Sequence, residues 1–274
     1  MKGCPLNCKW CSNPESVHPY PEIMTYDEKC IGCQRCVEIC PLGAISFGDK
    51  GREIDRARCN LCLKCAEVCP SGAIQRVGNY MTVDEALAQV QSDLLFYQNS
   101  GGGVTISGGE PLLQWEFVTK VLQRCKDNGI HTALDTTGHV PWQRMEKVLE
   151  YVDLVLYDVK HMDTVKHKEG TGVGNELILE NAGKTAAKAR TWLRVPLIPG
   201  YNDSDWNIVK LAEFALSINA EKVSILPYHE WGASKYSRLG RTYQMEGTPT
   251  PNEDCVQKVK NILESSRLPV GVGR

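Results

Sequence analysis

A chain of 274 residues with 42% hydrophobic content can bury a sizeable core, as one large domain or as one domain carrying a small insert. Its formal net charge of −2 removes the electrostatic case for nucleic acid or an anionic membrane as a partner. No apolar run approaches the roughly 18 residues of a bilayer span. Thirteen cysteines are the abnormal feature, and eleven of them precede residue 70. A secreted disulfide scaffold is normally shorter, has an even count and follows a signal peptide. Here the opening Met1-Lys2-Gly3-Cys4-Pro5-Leu6-Asn7 lacks the apolar core of such a signal. The expectation is a cytoplasmic protein whose short-spaced cysteines are metal or cluster ligands.

The first group reads Cys4-x3-Cys8-x2-Cys11, with no fourth thiolate beside it. Three protein ligands on a 4Fe–4S cube leave one iron open, and an open position separates a catalytic metal centre from a closed structural one. The next two groups are copies of one unit. Cys30, Cys33, Cys36 and Cys40 recur 29 residues later as Cys59, Cys62, Cys65 and Cys69, and Pro41-Leu42-Gly43-Ala44-Ile45 recurs as Pro70-Ser71-Gly72-Ala73-Ile74. Each copy is Cys-x2-Cys-x2-Cys-x3-Cys-Pro, the run that bacterial ferredoxins use for 4Fe–4S clusters. The fourth cysteine of such a run reaches the other cube. One cluster is therefore expected on Cys30, Cys33, Cys36 and Cys69, the other on Cys59, Cys62, Cys65 and Cys40. A pair of zinc sites is the alternative, but structural zinc uses two Cys-x2–4-Cys clips separated by a loop. Residues 27–78 are read as a compact, loop-rich insert.

After residue 80 helix and strand signals alternate. Thr82-Val83-Asp84-Glu85 is a capping box opening an amphipathic helix to about Gln98. Gly101-Gly102-Gly103 ends it, and β-branched Val104-Thr105-Ile106-Ser107 reads as a strand. Leu113, Phe117, Val121 and Cys125 then mark a helical face, with Gly129 as its C-terminal cap. Further strands are expected at His131–Asp135, Leu154–Asp158, Thr191–Pro196 and Val223–Leu226. Cys125 and Cys255 fall on helical patterns as buried packing residues. The alternation predicts a parallel α/β architecture, either a barrel or an open sheet. Glu110, Asp135, Asp158 with Lys160, and His229 fall at strand ends, where both architectures place active sites.

With Gly3-Cys4-Pro5-Leu6 and Trp10-Cys11-Ser12-Asn13-Pro14-Glu15 around it, the first cysteine group resembles the signature of radical S-adenosylmethionine enzymes. More narrowly, it is similar to the glycyl-radical-enzyme activating enzymes. Ser107-Gly108-Gly109-Glu110-Pro111, Leu134-Asp135-Thr136-Thr137-Gly138, Tyr157-Asp158-Val159-Lys160, Trp192-Leu193-Arg194-Val195-Pro196 and Leu226-Pro227-Tyr228-His229 resemble further family segments.

The resemblance implies that Cys4, Cys8 and Cys11 hold a catalytic cluster whose open iron chelates S-adenosylmethionine. It implies a cofactor site of Trp10, Cys11, Ser12, Gly108, Gly109, Glu110, Asp135, Asp158, Val159, Lys160, Arg194 and His229. Within it Glu110 would receive the methionyl ammonium. Asp135 and Asp158 would lie near the carboxylate (in some relatives around a monovalent cation), and Lys160 would contact it. The implied fold is a partial (β/α)6 TIM-type barrel with a ferredoxin-like insert carrying two 4Fe–4S clusters, three clusters in all. Residues 1–26 and 79–274 would form the core around the insert 27–78.

The implied activity is reductive cleavage of S-adenosylmethionine, with the radical passed to a backbone glycine of a partner enzyme. Flavodoxin or ferredoxin would be the reductant. Cluster chemistry implies oxygen sensitivity and an anaerobic host. Two rivals are a radical enzyme acting on a small molecule or nucleotide, and a non-catalytic multi-cluster electron carrier. Relatives carry a first strand before the cysteine motif. Here the chain begins three residues before Cys4, so an exposed sheet edge is expected.

Overall fold

The computed structural model describes residues 1–49 and 51–273. Among the described residues ten strands form three sheets: β1 (Glu22–Thr25), β2 (Ile45–Gly48), β3 (Gly51–Ile54), β4 (Ile74–Val77), β5 (Gly103–Ile106), β6 (His131–Thr136), β7 (Leu154–Asp158), β8 (Thr191–Leu197), β9 (Lys222–Pro227) and β10 (Val270–Val272). β5 to β10 make one parallel sheet in chain order, with helices in every crossover. Among the described residues no pairing joins β5 to β10. The sheet is thus an arc, a partial (β/α) barrel with one side open.

The arc has two different faces because strand side chains alternate. Along β8, Leu193, Val195 and Leu197 are buried while Arg194 and Pro196 are half-buried. The same alternation puts Leu134, Val155, Tyr157, Val223 and Ile225 in the main core with helix residues such as Val118, Leu122, Met145, Ile178, Ile208 and Leu263. It leaves Asp135, Asp158, Arg194 and Leu226 on the opposite, concave face. Parallel register sets Asp158 beside Arg194 and Pro196 beside Leu226.

The cysteine-rich segment is a separate small unit. β1 pairs antiparallel with β4, and β2 with β3, framing a second core of Ile23, Ile45, Ile74, Cys36 and Cys65. These four short strands were not among the expected elements, since a segment read as loop-rich gives no periodic signal over four residues. β10 was also unexpected, for the same reason.

Other departures are local. The helix expected to reach Gln98 is split into Val83–Gln91 and Leu94–Ser100, with a break at Ser92–Asp93. The expected Thr82–Glu85 capping box is formed. The helix expected from Leu113 starts at Trp115, and its buried face is Val118, Val121, Leu122 and Cys125, while Leu113 is exposed on a preceding 3-10 turn. Gly129, at φ +69°, closes that helix as expected. Cys125 is fully buried and Cys255 only half-buried. β5 is an edge strand, and residues 1–3 run beside its C-terminal end, where Gly109 donates to the Met1 carbonyl at 2.9 Å. No helix is long and apolar enough to cross a membrane among the described residues.

Candidate active site

Two carboxylates and two cations meet on the concave face at the C-terminal ends of β6, β7 and β8. Lys160 Nζ donates to Asp158 Oδ2 at 2.8 Å, and Arg194 Nη1 to Asp135 Oδ2 at 3.0 Å. Ser107 Oγ donates to the same Asp135 oxygen at 2.8 Å. Arg194 Nε and Asp158 Oδ1 face each other at 3.3 Å without hydrogen-bond geometry, so each lacks a full partner. Burial pushes the Asp135 carboxyl up and Asp158 adds to it, against Arg194 and Ser107. Burial pulls the Lys160 ammonium down, but Asp158, then Cys8 and Asp135, outweigh it and hold it above its ordinary value. Lys160 is fixed at its backbone as well, since buried Asn202 donates to its carbonyl at 2.9 Å.

The loop carrying Cys4, Cys8 and Cys11 is laid across this face by its backbone. Asn7 and Lys9 donate to the carbonyls of Thr171 and Gly170, Gly3 and Cys4 to those of Ser16 and Val17, and Tyr236 Oη to that of Cys11 at 3.0 Å. Glycines allow the close approach. A Cβ on Gly109 would stand 2.2 Å from the Gly3 carbonyl oxygen and 2.6 Å from that of Ser16. One on Gly170 would stand 2.9 Å from the Trp10 ring, and one on Gly232 would stand 2.7 Å from the Ser12 Cα. The glycines of the Gly108-Gly109 segment thus make room for the cysteine loop itself.

Loop and strands enclose a cavity of about 220 Å³ lined by Cys4, Cys8, Cys11, Gly108, Gly109, Asp135, Asp158, Lys160 and Arg194, among others. Burial drives the Cys8 thiol up to about 12 and the Cys4 thiol to about 11, and raises Cys11 too. Buried thiols in this state need a bound metal to become thiolates, because a thiolate without a cation is costly to desolvate. Three thiols around a roomy, charged cavity fit a cube with one iron left for a ligand. A neighbouring lobe of about 320 Å³ shares Trp10, Ser12, Arg194 and Leu226 and is closed by Pro227, Tyr228 and His229. His229 stacks on exposed Trp231 at 3.9 Å, and its buried Nδ1 has no protein partner.

Two residues expected at the cofactor stand elsewhere. Glu110 is fully buried beneath the cavity floor, and its carboxylate is saturated. Oε1 accepts from Leu112 N and Thr136 Oγ1, and Oε2 from Thr137 N and Thr137 Oγ1, at 2.7–3.1 Å. Burial raises its pKa, opposed by the Thr137 and Thr136 donors. Those four donors fill the carboxylate's acceptor sites. Val159 packs in the main core and does not line the cavity, because it alternates with Asp158 onto the helix side. Ser107, Thr136, Thr137 and Pro196 do line it and were not singled out from sequence. All four lie inside segments already flagged, and Ser107, Thr137 and Pro196 stand two residues from Gly109, Asp135 and Arg194, a spacing that alternation could have read.

In the insert, Cys30, Cys33, Cys36 and Cys69 line one small cavity, and Cys40, Cys59, Cys62 and Cys65 another. That is the crossed grouping expected of two linked ferredoxin runs. Among the described residues no three His, Cys, Asp or Glu side chains converge on a single-ion site.

Comparison with known proteins agrees with this geometry. The Radical SAM superfamily profile matches residues 57–212, and the 4Fe-4S dicluster domain profile matches residues 29–73. The chain is 42% identical over 273 residues to the (2S)-3-sulfopropanediol dehydratase activating enzyme of Klebsiella oxytoca, covering 96% of this chain and 86% of that protein. It is 40% identical to the choline trimethylamine-lyase activating enzyme of Oleidesulfovibrio alaskensis, covering all of this chain and 91% of that one. Among solved structures, a domain of a pyruvate-formate lyase-activating enzyme from Bacteroides vulgatus superposes with a TM-score of 0.54 at 36% identity, over 63% of this chain and 99% of that domain.

Two substitutions separate positioning from ligand contact. Gly109→Ala is expected to displace the cysteine loop and lower reconstituted iron by about four atoms per chain, read by iron analysis. Glu110→Gln sets an amide NH2 against one of the two donor pairs, Leu112 N with Thr136 Oγ1 or Thr137 N with Thr137 Oγ1, and is expected to destabilise the metal-free chain by roughly 2 kcal/mol or more in denaturant titration. A carboxylate serving only to bind a cofactor would leave that titration unchanged.

Proposed function

The chain belongs to the radical S-adenosylmethionine enzymes that activate glycyl radical enzymes, and on that basis we propose how its own residues serve the reaction. It is an iron–sulfur, S-adenosylmethionine-dependent enzyme of the oxidoreductase type whose substrate is a protein. When bound, the open cluster supplies the electron that cleaves S-adenosylmethionine to methionine and a 5′-deoxyadenosyl radical, which takes a hydrogen from a backbone glycine of the partner.

The observation that carries this reading is the shared cavity of Cys4, Cys8 and Cys11 with Lys160, Arg194, Asp135 and Asp158. The three cysteines hold the open cube. Lys160 and Arg194 meet the methionyl carboxylate, since both face the cavity and Arg194 retains an unsatisfied Nε. With Glu110 committed to Thr136 and Thr137, the methionyl ammonium falls to the backbone at Gly108–Gly109. Asp135 and Asp158 pair with Arg194 and Lys160 before the ligand arrives. Trp10, Ser12 and His229 bound the lobe suited to the adenosyl group, and His229 Nδ1 is a free hydrogen-bonding atom there.

In this reading residues 1–26 and 79–274 form the catalytic core and 27–78 the insert. The crossed cysteine cavities support two further cubes, giving three in all. A flavodoxin or ferredoxin is the electron donor, received by the insert.

Anaerobic reconstitution with iron and sulfide should load about twelve irons per chain. Dithionite and S-adenosylmethionine should then yield 5′-deoxyadenosine, and a co-incubated glycyl radical enzyme should develop the glycyl radical signal in electron paramagnetic resonance. Cleavage with no radical on any such partner would favour a small-molecule substrate, and twelve irons with no cleavage a simple electron carrier. Cys33→Ser should slow radical formation with a protein donor while leaving S-adenosylmethionine binding nearly intact. Unchanged rates with that donor would make the insert structural.

A further inference from the structure

The two copies of the cysteine unit are offset by 29 residues, so each position of one has a counterpart in the other. Three counterparts differ in ways that change their surroundings. Asp27 is exposed and pairs with Arg52 within the insert. Its counterpart Arg56 turns inward, Nη1 donating to the Ile23 carbonyl at 3.0 Å and Nη2 to the Arg238 carbonyl at 3.2 Å. Gly32 and Gln34 are exposed, whereas their counterparts Leu61 and Leu63 are half-buried against the insert core. All four sit at left-handed φ, between 55° and 68°, a conformation natural for Gly32 and sterically disfavoured for a leucine. Both leucines line the Cys40/Cys59/Cys62/Cys65 cavity.

That cavity is joined to the active-site loop through hydrogen bonds. Ile23 lines it, and Arg56, three residues before Cys59, bonds the Ile23 carbonyl. The other arm of Arg56 holds Arg238, the last residue of the helix Ala233–Arg238. Tyr236 of that helix donates to the Cys11 carbonyl. From the other cavity's side, the same helix is met by a 3.6 Å pair of Arg238 with the largely exposed Glu28 and by Arg238 over the Tyr26 ring. In that copy's loop residues 31–35 are all solvent-facing, whereas in the other copy exposed Cys62 lies between half-buried Leu61 and Leu63.

Granting the reading that each cysteine set holds a cube, we propose that the insert is polarised. The Cys30/Cys33/Cys36/Cys69 site is the outer station, which receives an electron from a one-electron flavin or iron–sulfur donor protein. The Cys40/Cys59/Cys62/Cys65 site is the inner station, which passes it to the Cys4/Cys8/Cys11 site across Arg56, Arg238 and Tyr236. Each step moves one electron. The donor is oxidised as the outer cube is reduced, the outer as the inner is reduced, and the inner as the active-site cube is reduced. No bond changes and no proton moves until S-adenosylmethionine is cleaved. Leu61 and Leu63 withhold solvent from the inner cube, which lowers its potential, while a nearby arginine charge raises the potential at each site, Arg56 three residues before Cys59 and Arg52 in the lining of the outer cavity.

The test uses full-length holoenzyme, reconstituted anaerobically and fully reduced, with Cys33→Ala and Cys62→Ala each removing one insert cube, checked by a loss of about four irons. Electron paramagnetic resonance then reads the magnetic broadening of the active-site cube by its nearest neighbour. Loss of that broadening in Cys62→Ala and its retention in Cys33→Ala is the expected result. The opposite pattern, or equal effects, overturns the order. Arg56→Gln keeps every cysteine, and it should shift the midpoint of one insert cube downward and leave the other in place. Shifts in both, or in neither, also overturn the proposal. A protein donor that drives 5′-deoxyadenosine formation equally well in both cysteine variants would sink the relay reading while leaving the spatial order legible in the spectra.

Discussion

Two carboxylates and two cations share the concave face of the arc, and none of them can be left alone there. An unpaired charge out of water costs far more than a domain's net stability allows, so Asp135, Asp158, Lys160 and Arg194 must be held as one set. That requirement reaches into the surrounding fold. Parallel register brings Asp158 beside Arg194, strand alternation keeps both off the core side, and Asn202 ties down the Lys160 backbone. Glu110, one layer below, is kept out of this balance by its own four donors. The result is a charged cavity already neutral before any zwitterionic ligand arrives, suited to exchanging internal pairs for ligand contacts.

The cysteine loop adds the second constraint. It bears no regular structure of its own, and its shape comes from carbonyls offered by Thr171, Gly170, Ser16 and Val17 and from glycines that leave it room. A cluster on these three thiols would couple metal loading to loop placement, because burial disfavours their thiolates unless a metal supplies positive charge. The insert follows the same logic at smaller scale. Short strands and a handful of apolar side chains make a modest core, and much of its interior is lined by cysteines. Such a unit needs its metal centres as a larger domain needs hydrophobic area.

Much of this was legible from residues alone. The strands from 131 to 227 appeared within about two residues of their expected ends, because β-branched runs between helical patterns are strong local signals. The crossed grouping of the insert cysteines followed from spacing. The small strands Glu22–Thr25, Ile45–Gly48, Gly51–Ile54, Ile74–Val77 and Val270–Val272 did not, since three or four residues carry too little periodicity to stand out. Leu113 and Phe117 share a helical spacing with Cys125, yet the core took the adjacent stripe of Val118 and Leu122, a choice made by the sheet beneath.

By itself the sequence determined the chemistry. Cysteine spacing sets how many thiolates one loop can bring to a cluster, and under the proposed assignment a group of three would leave a position open. Tertiary structure alone decided which flagged residues reach that chemistry. Glu110 and Val159 belong to the right segments but face away, while Ser107 and Thr136 face in. Motif membership is a one-dimensional property. The direction of a side chain depends on strand alternation, on neighbouring donors and on how closely two backbones pack. Those same factors distinguish Arg56 from Asp27 at equivalent positions of a duplicated unit, because Arg56 turns inward onto the Ile23 and Arg238 carbonyls while Asp27 stays exposed and pairs with Arg52.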